Sequence, residues 1–266
     1  MSLLMFSHFH RSFPFNHNSS WLKATYVKGD TWEPTPEDGQ YINVIQEDSI
    51  FNYKHHYQNI SDIDFLKAIG QQSTDYYVLK YASADYLGVT SYRRYLKIDG
   101  GNEDKIITSP SQEACNELSS ERIKDIALEY FQHYDIITNK FVNHGWRIDT
   151  QYCQHQDTKF WFLFLEAINT LYPEYSSKMS WFSEASPINY EGAYIAKQSI
   201  FKKLVDQYFN IMNYIWTNSK DNYPLPGTVA EEFPWRYPGF LNERFVPFFM
   251  SANEYKIKEV PLVVLK

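Results

Sequence analysis

Glycine is scarce in this chain, with 10 residues among 266, and none of them form the spacings G-x-G-x-x-G or G-x-x-x-x-G-K-[ST]. Glycine-rich loops with these spacings bind the pyrophosphate of a dinucleotide or the phosphates of a nucleoside triphosphate. G-x-S-x-G elbows, H-E-x-x-H helices and catalytic-cysteine signatures are missing too. The sequence therefore excludes a Rossmann dinucleotide fingerprint and a P-loop, and shows none of the common hydrolase motifs.

Cysteines and runs of basic residues are also few. Cys115 and Cys153 are the only cysteines, too few for a disulfide framework or a cysteine-based zinc site, and this usage predicts a reducing compartment, by default the cytoplasm. The 25 basic and 32 acidic residues give a net charge of −7. No Lys or Arg run is long enough to follow a phosphate backbone, so we do not expect nucleic acid as a partner.

Long apolar runs are missing as well. The most hydrophobic stretch, 160–168, is short and is interrupted by Glu166, so no membrane-spanning helix is expected. Residues 1–15 lack the basic and apolar regions of a secretory signal, because His8, His10 and Arg11 follow only a few apolar residues. We predict a buried opening strand over 3–9 instead.

Aromatic residues, in contrast, are abundant at 18 % of the chain, led by 22 tyrosines. Tyr and Trp usually pack with their polar end satisfied, so part of this surplus is expected to line a binding cleft. Apolar residues at 44 % and charged residues at 21 % are ordinary for a globular protein. We expect one compact α/β domain over 1–266.

Strand-like and helical segments alternate along the chain, which predicts a largely parallel sheet covered by helices. The predicted strands are 3–9, 41–45, 86–90, 135–138, 189–196 and 255–265. The predicted helices are 62–69, 73–81, 111–134, 158–171, 199–217 and 239–250, the last containing Pro247, expected to kink it or mark an irregular turn. Two stretches, 15–40 and 218–238, are predicted to be mobile loops that border the site.

The segment DYLGVTSYRRY (85–95) is the most informative part of the chain. A strand ends there in Ser91, Tyr92, Arg93 and Arg94, and open α/β sheets bind ligands outside the carboxyl ends of their strands. Two neighbouring guanidinium groups suit a diphosphate, whose oxygens match their planar fork. The alternative is a surface pair of arginines bridging to carboxylates.

A second segment, RYPGFLNERF (236–245), places apolar side chains on one face of a helix, with Glu243 and Arg244 towards its edge. A carboxylate beside apolar groups can have a raised pKa and act as a general base. The alternative is a surface pair between Glu243 and Arg244, or a charge near a helix end.

Three weaker patterns remain. His155 and Asp157 precede an aromatic helix and suit sugar hydroxyls, although a helix-capping pair is the more common interpretation. Asp62 and Asp64 match the D-x-D pattern of metal-dependent sugar transferases, but they precede a predicted helix, where acidic residues are favoured anyway. His8 and His10 have a metal-ligand spacing with no carboxylate or cysteine nearby in the sequence.

Taken together, four blocks give the chain a family resemblance. YLGVTSYRRY (86–95), YDIITNK (134–140), YPEY (172–175) and GFLNER (239–244) occur in the order and spacing that resemble the DUF4422 family. The resemblance covers nearly the whole chain, and the Y-[IL]-G-x-x-x-Y-R-R block is its specific part. Such proteins are encoded among bacterial capsule and O-antigen genes and are regarded as glycosyltransferases with a GT-A-like (Rossmann-like) fold. Some related domains are linked to galactofuranose transfer.

The resemblance, together with the patterns above, gives expected roles to particular residues. Those that match the family pattern are Tyr92, Arg93, Arg94, His155, Glu243 and Arg244. Glu243 is the expected catalytic residue, and His155 and Asp157 are expected to bind the acceptor. The expected donor-binding residues are His8, Gln71, Ser91, Tyr92, Arg93, Arg94 and Arg244. The chain departs from the family pattern at Ser91, where His is usual, at Gln71, where Glu is common, and at Gly192, where Asn is usual.

The resemblance also implies a function. We expect transfer of a sugar from a nucleotide-sugar donor, with UDP-galactofuranose or another UDP-hexose as candidates, to a hydroxyl of a surface polysaccharide or lipid-linked oligosaccharide. Because S-Y-R stands where a GT-A fold carries its D-x-D, arginine is expected to replace the divalent metal, and no cofactor is expected. The enzyme is expected in the cytoplasm at the inner face of the plasma membrane, in peripheral or assembly-complex association. The alternative is a non-catalytic carbohydrate-binding or scaffold protein of a polysaccharide assembly complex.

Overall fold

The computed structural model describes residues 1–28, 32–45, 69–143, 145–185, 187–188, 192–219 and 237–266. The D-x-D pair, nearly all of the helix predicted at 62–69 and most of the loop predicted at 218–238 lie outside these ranges. The strands are β1 (Leu3–Phe9), β2 (Leu22–Tyr26), β3 (Ile42–Asn43), β4 (Tyr86–Ser91), β5 (Arg94–Leu96), β6 (Lys105–Thr108), β7 (Ile136–Asn139), β8 (Val142–Asn143), β9 (Pro187–Ile188), β10 (Tyr194–Lys197), β11 (Ile257–Val260) and β12 (Leu262–Leu265).

The helices of the described residues cover both faces of the main sheet. They are α1 (Gln72–Tyr81), α2 (Gln112–Leu118), α3 (Glu121–Tyr130), α4 (Ile148–His155), α5 (Thr158–Leu171), α6 (Ser176–Glu184), α7 (Gln198–Ser219) and α8 (Tyr237–Ala252). Short 3-10 turns occur at Pro36–Asp38 and Pro173–Tyr175.

The main sheet has seven strands in the order β11-β7-β10-β4-β1-β2-β3. Its neighbours are parallel, except that β10 runs antiparallel to both β4 and β7. The predicted mostly parallel sheet flanked by helices is therefore confirmed. Because β10 is reversed, its first residues lie beside the last residues of β4 and β7, so the segment entering β10 belongs to the carboxyl edge of the sheet.

Each face of the sheet carries its own hydrophobic core, as the alternation of side chains along a strand requires. Phe6 and Val89 belong to the core shared with α1 and with α4 to α8. Met5 and Phe9 belong to the opposite core, which also contains α2, α3 and a small sheet in the order β5-β12-β6. Gly88 permits the close pairing of β4 and β10, since a Cβ there would lie 2.6 Å from the carbonyl oxygen of Tyr194.

Several predicted elements match the structure closely. The strand at Leu3–Phe9 and the helix at Thr158–Leu171 have the predicted bounds. The latter is delimited by local chemistry, because Asp157 caps its start by accepting from the Lys159 amide and Pro173 follows its end. The helix predicted at 239–250 extends over Tyr237–Ala252 and continues through Pro247.

Other predicted secondary-structure elements were wrong. The stretch 15–40, predicted to be a loop, contains β2, whose short alternating pattern is hidden among turn residues. The helix predicted at 111–134 is two helices, because Ser119 and Ser120 end α2 and begin α3. The strand predicted at 255–265 is divided at Pro261 into β11 and β12, which pair in different sheets. Helices α4 and α6 were missed.

Candidate active site at the carboxyl edge of the sheet

A chain of hydrogen bonds joins the carboxyl end of β1 to helix α1. Thr25 Oγ1 donates to the Ser7 carbonyl at 3.0 Å and lies 2.9 Å from Thr74 Oγ1, which lies 3.1 Å from His8 Nδ1. A hydroxyl carries one hydrogen. Since that of Thr25 is used on Ser7, Thr74 donates to Thr25, and His8 Nδ1 must donate to Thr74.

This assignment determines the chemistry of His8. Burial of the ring, with a smaller effect from His10, lowers the pKa of His8 to about 3. The ring is therefore neutral near pH 7, with its hydrogen on Nδ1. His8 Nε2 is then the hydrogen-bond acceptor at the carboxyl edge.

Helix α1 also places a carboxyl group that the sequence interpretation missed. Asp75 is 2 % exposed, and its burial raises its pKa to about 8, although a hydrogen bond from the side chain of Asn242 acts in the opposite direction. The carboxyl group is thus largely protonated at neutral pH. Burial, with a smaller effect from nearby Asp75, raises the pKa of the Tyr194 and Tyr208 phenols. An acidic residue at a helix start gave no sequence signal of such burial.

Buried polar atoms accumulate around this edge. Among the described residues, five such atoms from β1, α1, β4 and β10 have no hydrogen-bond partner: Ser7 Oγ, Gln72 Oε1, Asp75 Oδ1, Ser91 Oγ and Tyr194 OH. Buried polar groups in folded proteins are ordinarily satisfied, so each needs an explanation. These atoms can hydrogen-bond a polar ligand or ordered water that enters the carboxyl edge.

Cationic side chains surround Tyr92, directly after β4. The guanidinium carbons of Arg11 and Arg93 lie 5.2 and 5.9 Å from the centroid of its ring, and the His10 ring packs edge-on at 4.8 Å. Tyr92 itself is buried, and its amide donates to the His8 carbonyl at 3.0 Å. Tyr92 thus holds the two arginines beside the end of β1. Arg11 was not predicted as a site residue.

Arg94 occupies a different setting from Arg93. It begins β5, whose backbone pairs with β12, and its carbonyl accepts from Thr90 Oγ1 at 2.8 Å. Its side chain is half-buried. The predicted tandem therefore consists of one arginine beside the Tyr92 ring and one fixed at the start of a strand in the small sheet.

Two positions at which the chain departs from the family pattern meet in the structure. Gln71 Nε2 donates to the carbonyl oxygen of Gly192 at 3.4 Å. Gly192 has φ +62°, a left-handed conformation that favours glycine. The contact ties the start of α1 to the segment entering β10, so Gln71 does lie at the carboxyl edge.

On α8, Glu243 and Arg244 form an ion pair with an Oε2–Nη1 distance of 3.0 Å. The Arg244 side chain is only 3 % exposed, whereas that of Glu243 is 32 % exposed. Arg244 also donates to the Phe240 carbonyl at 2.7 Å and to the Gln151 side chain of α4, and it lies over the Tyr152 ring. The surface-pair alternative is therefore wrong for Arg244. Its buried guanidinium holds the partly exposed Glu243 in place.

The predicted acceptor residues lie elsewhere on the helical layer. Asp157 accepts from the Lys159 amide at 2.9 Å and caps α5, as its alternative interpretation proposed, while His155 is an exposed residue at the end of α4. Among the described residues, neither side chain hydrogen-bonds a residue of the carboxyl edge. Their role towards an acceptor stays a prediction.

The described residues contain neither a metal-ligand cluster nor a membrane-spanning helix. No group of three or more His, Cys, Asp or Glu side chains placed to hold a metal ion occurs in the part of the chain that the structure describes. None of the described helices is long and apolar enough to cross a membrane.

Comparison with known structures supports the fold. The structure is similar to the apo structure of WbbM, a bifunctional glycosyltransferase, with a TM-score of 0.71 at 17 % sequence identity. The likeness covers 100 % of this chain and 46 % of the WbbM chain, so this chain spans less than half the length of that protein. The predicted fold class is thereby confirmed. None of the curated protein sequences compared with the chain matches it.

The sequence comparison agrees with the resemblance seen in the four blocks. Residues 70–254, more than half of the chain, match the family described as a domain of unknown function, DUF4422. The matched region includes α1 with Asp75, the strand end with Arg93, and α8 with Glu243. The chain belongs to the DUF4422 family.

Proposed function

We propose that this protein is a glycosyltransferase that moves a sugar from a nucleotide-sugar donor to a hydroxyl group of a glycan or lipid-linked oligosaccharide. The observation that carries the proposal is the pair of guanidinium groups, Arg11 and Arg93, held on Tyr92 at the carboxyl end of β1 and β4. This is the edge at which open α/β sheets bind their ligands. UDP-hexoses, including UDP-galactofuranose, are the proposed donors.

The donor diphosphate is the group that suits this edge. Departure of a nucleoside diphosphate leaves negative charge on its oxygens, and fixed cations stabilise that charge by electrostatic preorganisation. Arg11 and Arg93 supply two such cations, and Arg94 is proposed as a third. We propose that they act without an obligatory divalent ion.

Neighbouring groups are proposed to orient the donor. His8 Nε2 can accept a hydrogen bond, Ser91 Oγ can donate or accept one, and the side chains of Gln72 and Asp75 add buried polar atoms. Asp75, with its raised pKa, is a hydrogen-bond donor at neutral pH rather than an anion. A neutral carboxyl group avoids repulsion against the diphosphate.

The transfer itself is assigned to Glu243. In an inverting reaction, the acceptor oxygen forms a bond to the anomeric carbon as the bond from that carbon to the diphosphate oxygen breaks. The acceptor proton passes to the Glu243 carboxylate, and the electron pair leaves with the nucleoside diphosphate. Arg244 positions Glu243 through their ion pair. We place the reaction in the cytoplasm, at the inner face of the plasma membrane.

Nucleotide binding tests the proposal. Thermal unfolding of the wild type with UDP, GDP, CMP and their sugars should show stabilisation by one nucleotide class, because a ligand that binds only the folded state raises its stability. Arg93→Ala and Arg11→Ala should each weaken binding by about 1.5–3 kcal/mol, the range for hydrogen bonds to charged groups. Arg122→Ala is the matched control, since Arg122 is an exposed arginine paired with Asp99.

Two outcomes would contradict the proposal. Stabilisation by glycans with none by any nucleotide would favour the carbohydrate-binding alternative. Binding or turnover that disappears with EDTA and returns with Mg²⁺ or Mn²⁺ would retain the transferase and overturn the arginine-only diphosphate site.

A further inference from the structure

A cavity of about 520 Å³ lies at the β2–β3 end of the main sheet. It is lined by Phe15, His17, Leu22, Lys23, Ala24, Gly39, Gln40, Tyr41 and Ile42. Its volume falls within the range of small-molecule sites, about 300–1,000 Å³. None of these residues takes part in the proposed transferase reaction.

The cavity lies on the face of the sheet opposite to the His8–Thr74 contact of the candidate active site. His8 contacts Thr74 of α1 on one face, whereas the next residue, Phe9, packs in the opposite core. The Phe9 ring lies 5.2 Å from that of Phe15 and 5.3 Å from that of Tyr41, both of which line the cavity. His8 and the cavity thus lie on opposite faces, whereas the Tyr92 ring that carries Arg11 and Arg93 belongs to the same core as Phe9 and lies 5.8 Å from its ring. The cavity is next to this part of the candidate site but shares no lining residue with it.

The aromatic walls are fixed relative to one another. The His17 ring lies 5.0 Å from Phe15 at 66° and 4.9 Å from Tyr41 at 65°. Gly39 makes this arrangement possible, because a Cβ there would come within 2.7 Å of the His17 ring, and its φ of +102° also favours glycine. The His17 ring therefore forms no parallel pair of faces with either Phe15 or Tyr41.

Polar groups are distributed among these rings. His17 Nδ1 donates to the Gln40 carbonyl at 3.0 Å, which leaves Nε2 as the ring nitrogen that can bond a ligand. Lys23 is held by a bond from its ammonium to the Ser19 carbonyl at 3.0 Å and keeps two further N–H donors. Burial, with a smaller effect from Asp38, raises the pKa of Tyr41 to about 12, so its hydroxyl keeps its proton.

We propose that this cavity binds a hexopyranose ring of a glycan, at a second sugar site separate from the transferase site. A pyranose is a non-planar ring with apolar C–H faces and a rim of hydroxyls. The inclined walls of Phe15, His17 and Tyr41 fit the faces, and the ammonium, imidazole and phenol groups fit the rim. A lipid chain would leave these polar groups unpaired, and a nucleobase could not stack between His17 and either neighbouring ring.

Saturation-transfer NMR on the full chain tests this site with methyl glucopyranoside, methyl galactopyranoside, methyl mannopyranoside and maltotriose as probes. At least one sugar should receive saturation from the wild type, and an excess of the nucleotide that stabilises the protein should not displace it. Tyr41→Ala should reduce its affinity at least about tenfold, equivalent to about 1.4 kcal/mol. Tyr81→Ala, at an exposed tyrosine of α1, should leave the affinity unchanged.

Tyr41 also packs against Phe9 and Trp32, so its replacement affects folding as well as sugar binding. A second variant therefore tests the cavity without removing an aromatic ring. Lys23→Gln retains most of the side-chain stem and should weaken sugar binding severalfold without altering the melting temperature. Lys124→Gln, at a surface lysine paired with Glu121, is its control. The proposal is overturned if no probe binds, if both cavity variants bind like the wild type, or if the nucleotide displaces the sugar. Each of these results leaves the nucleotide-binding test of the transferase intact.

Discussion

The side chain of Asp75 in α1 hydrogen-bonds that of Asn242 in α8. Asp75 directly follows Thr74, the partner of His8, and Asn242 directly precedes Glu243. The contact therefore connects the strand end, where the donor is proposed to bind, with the helix that carries the proposed base. Residues far apart in sequence are brought to one edge of the sheet by this pairing of helices.

Asp75 should make the protein less stable as pH rises towards 8. The folded state keeps the Asp75 proton up to about pH 8, whereas the unfolded chain releases it near its ordinary value of 3.8. Between these values the folded state binds more protons, so the unfolding free energy falls by up to about 1.4 kcal/mol per pH unit. Urea unfolding of Asp75→Asn across this range should lack that slope, since the amide does not ionise. Parallel curves for the two proteins would contradict the burial argument.

His8 should make the protein less stable as pH falls below 6.5, whereas Asp75 makes it less stable as pH rises. The unfolded ring binds a proton near 6.5, whereas the folded ring stays neutral down to about pH 3. The stability supplied by the neutral ring is present above pH 6.5 and is lost as pH falls towards 3. His8→Gln should remove this acid loss, measured by the same urea series.

The two groups together give a sharper test. Between about pH 4 and 6.5 their slopes have opposite sign, so they offset each other in the wild type. Over that window Asp75→Asn should gain stability with rising pH relative to the wild type, and His8→Gln should lose it. If the stabilities of the two variants, each relative to the wild type, changed with pH in the same direction, one of the protonation states would be assigned wrongly.

The sequence predicted the main sheet well because its strands are continuous buried runs. The strand at Leu3–Phe9 and the run ending at Ser91 carry buried side chains along nearly their whole length. Strand β2 was missed because its five residues lie in a stretch rich in turn formers. The divided strand at Pro261 was missed because a short apolar run does not reveal which sheet each half joins.

The candidate site was predictable only where its residues sit next to a strand end. Arg93 lies two residues after the end of β4, and its location is evident from the sequence. Arg11 and Asp75 were missed because their importance depends on tertiary contacts, with the Tyr92 ring and with Asn242. The burial of Arg244 was also hidden, since its partner Gln151 lies in a helix that the sequence pattern did not predict.

Arg244 should be important for stability. Arg244→Met removes a buried guanidinium that bonds Glu243, Gln151 and the Phe240 carbonyl. We expect a loss of about 2–4 kcal/mol in unfolding free energy, because buried polar partners are left unsatisfied. Arg147→Met, at a 52 % exposed arginine paired with Asp149, should change stability by less than about 1 kcal/mol. Equal effects in chemical denaturation would argue against a structural role for the buried contacts of Arg244.

Glu243 should be required for turnover and dispensable for folding. Its carboxylate is partly exposed and held by Arg244, and general-base assistance contributes about 10²–10⁴-fold to rates. Glu243→Gln keeps an oxygen to accept from Arg244 but cannot take the acceptor proton, so an inverting transferase should lose about that factor in turnover with nucleotide affinity unchanged. In a retaining transferase the variant should lose donor affinity as well, because Glu243 would then orient the donor sugar.

Glu121→Gln is a close control for that experiment. Glu121 is also ion-paired at 3.0 Å, with Lys124, but on the surface at the start of α3 and away from α8. It should turn over at the wild-type rate and melt at nearly the wild-type temperature, since exposed ion pairs contribute little. If Glu243→Gln matched this control under saturating donor and acceptor, Glu243 would have no role in the chemical step. Glu243 would then serve only as the ion-pair partner of Arg244, whose bond to Gln151 joins α8 to α4.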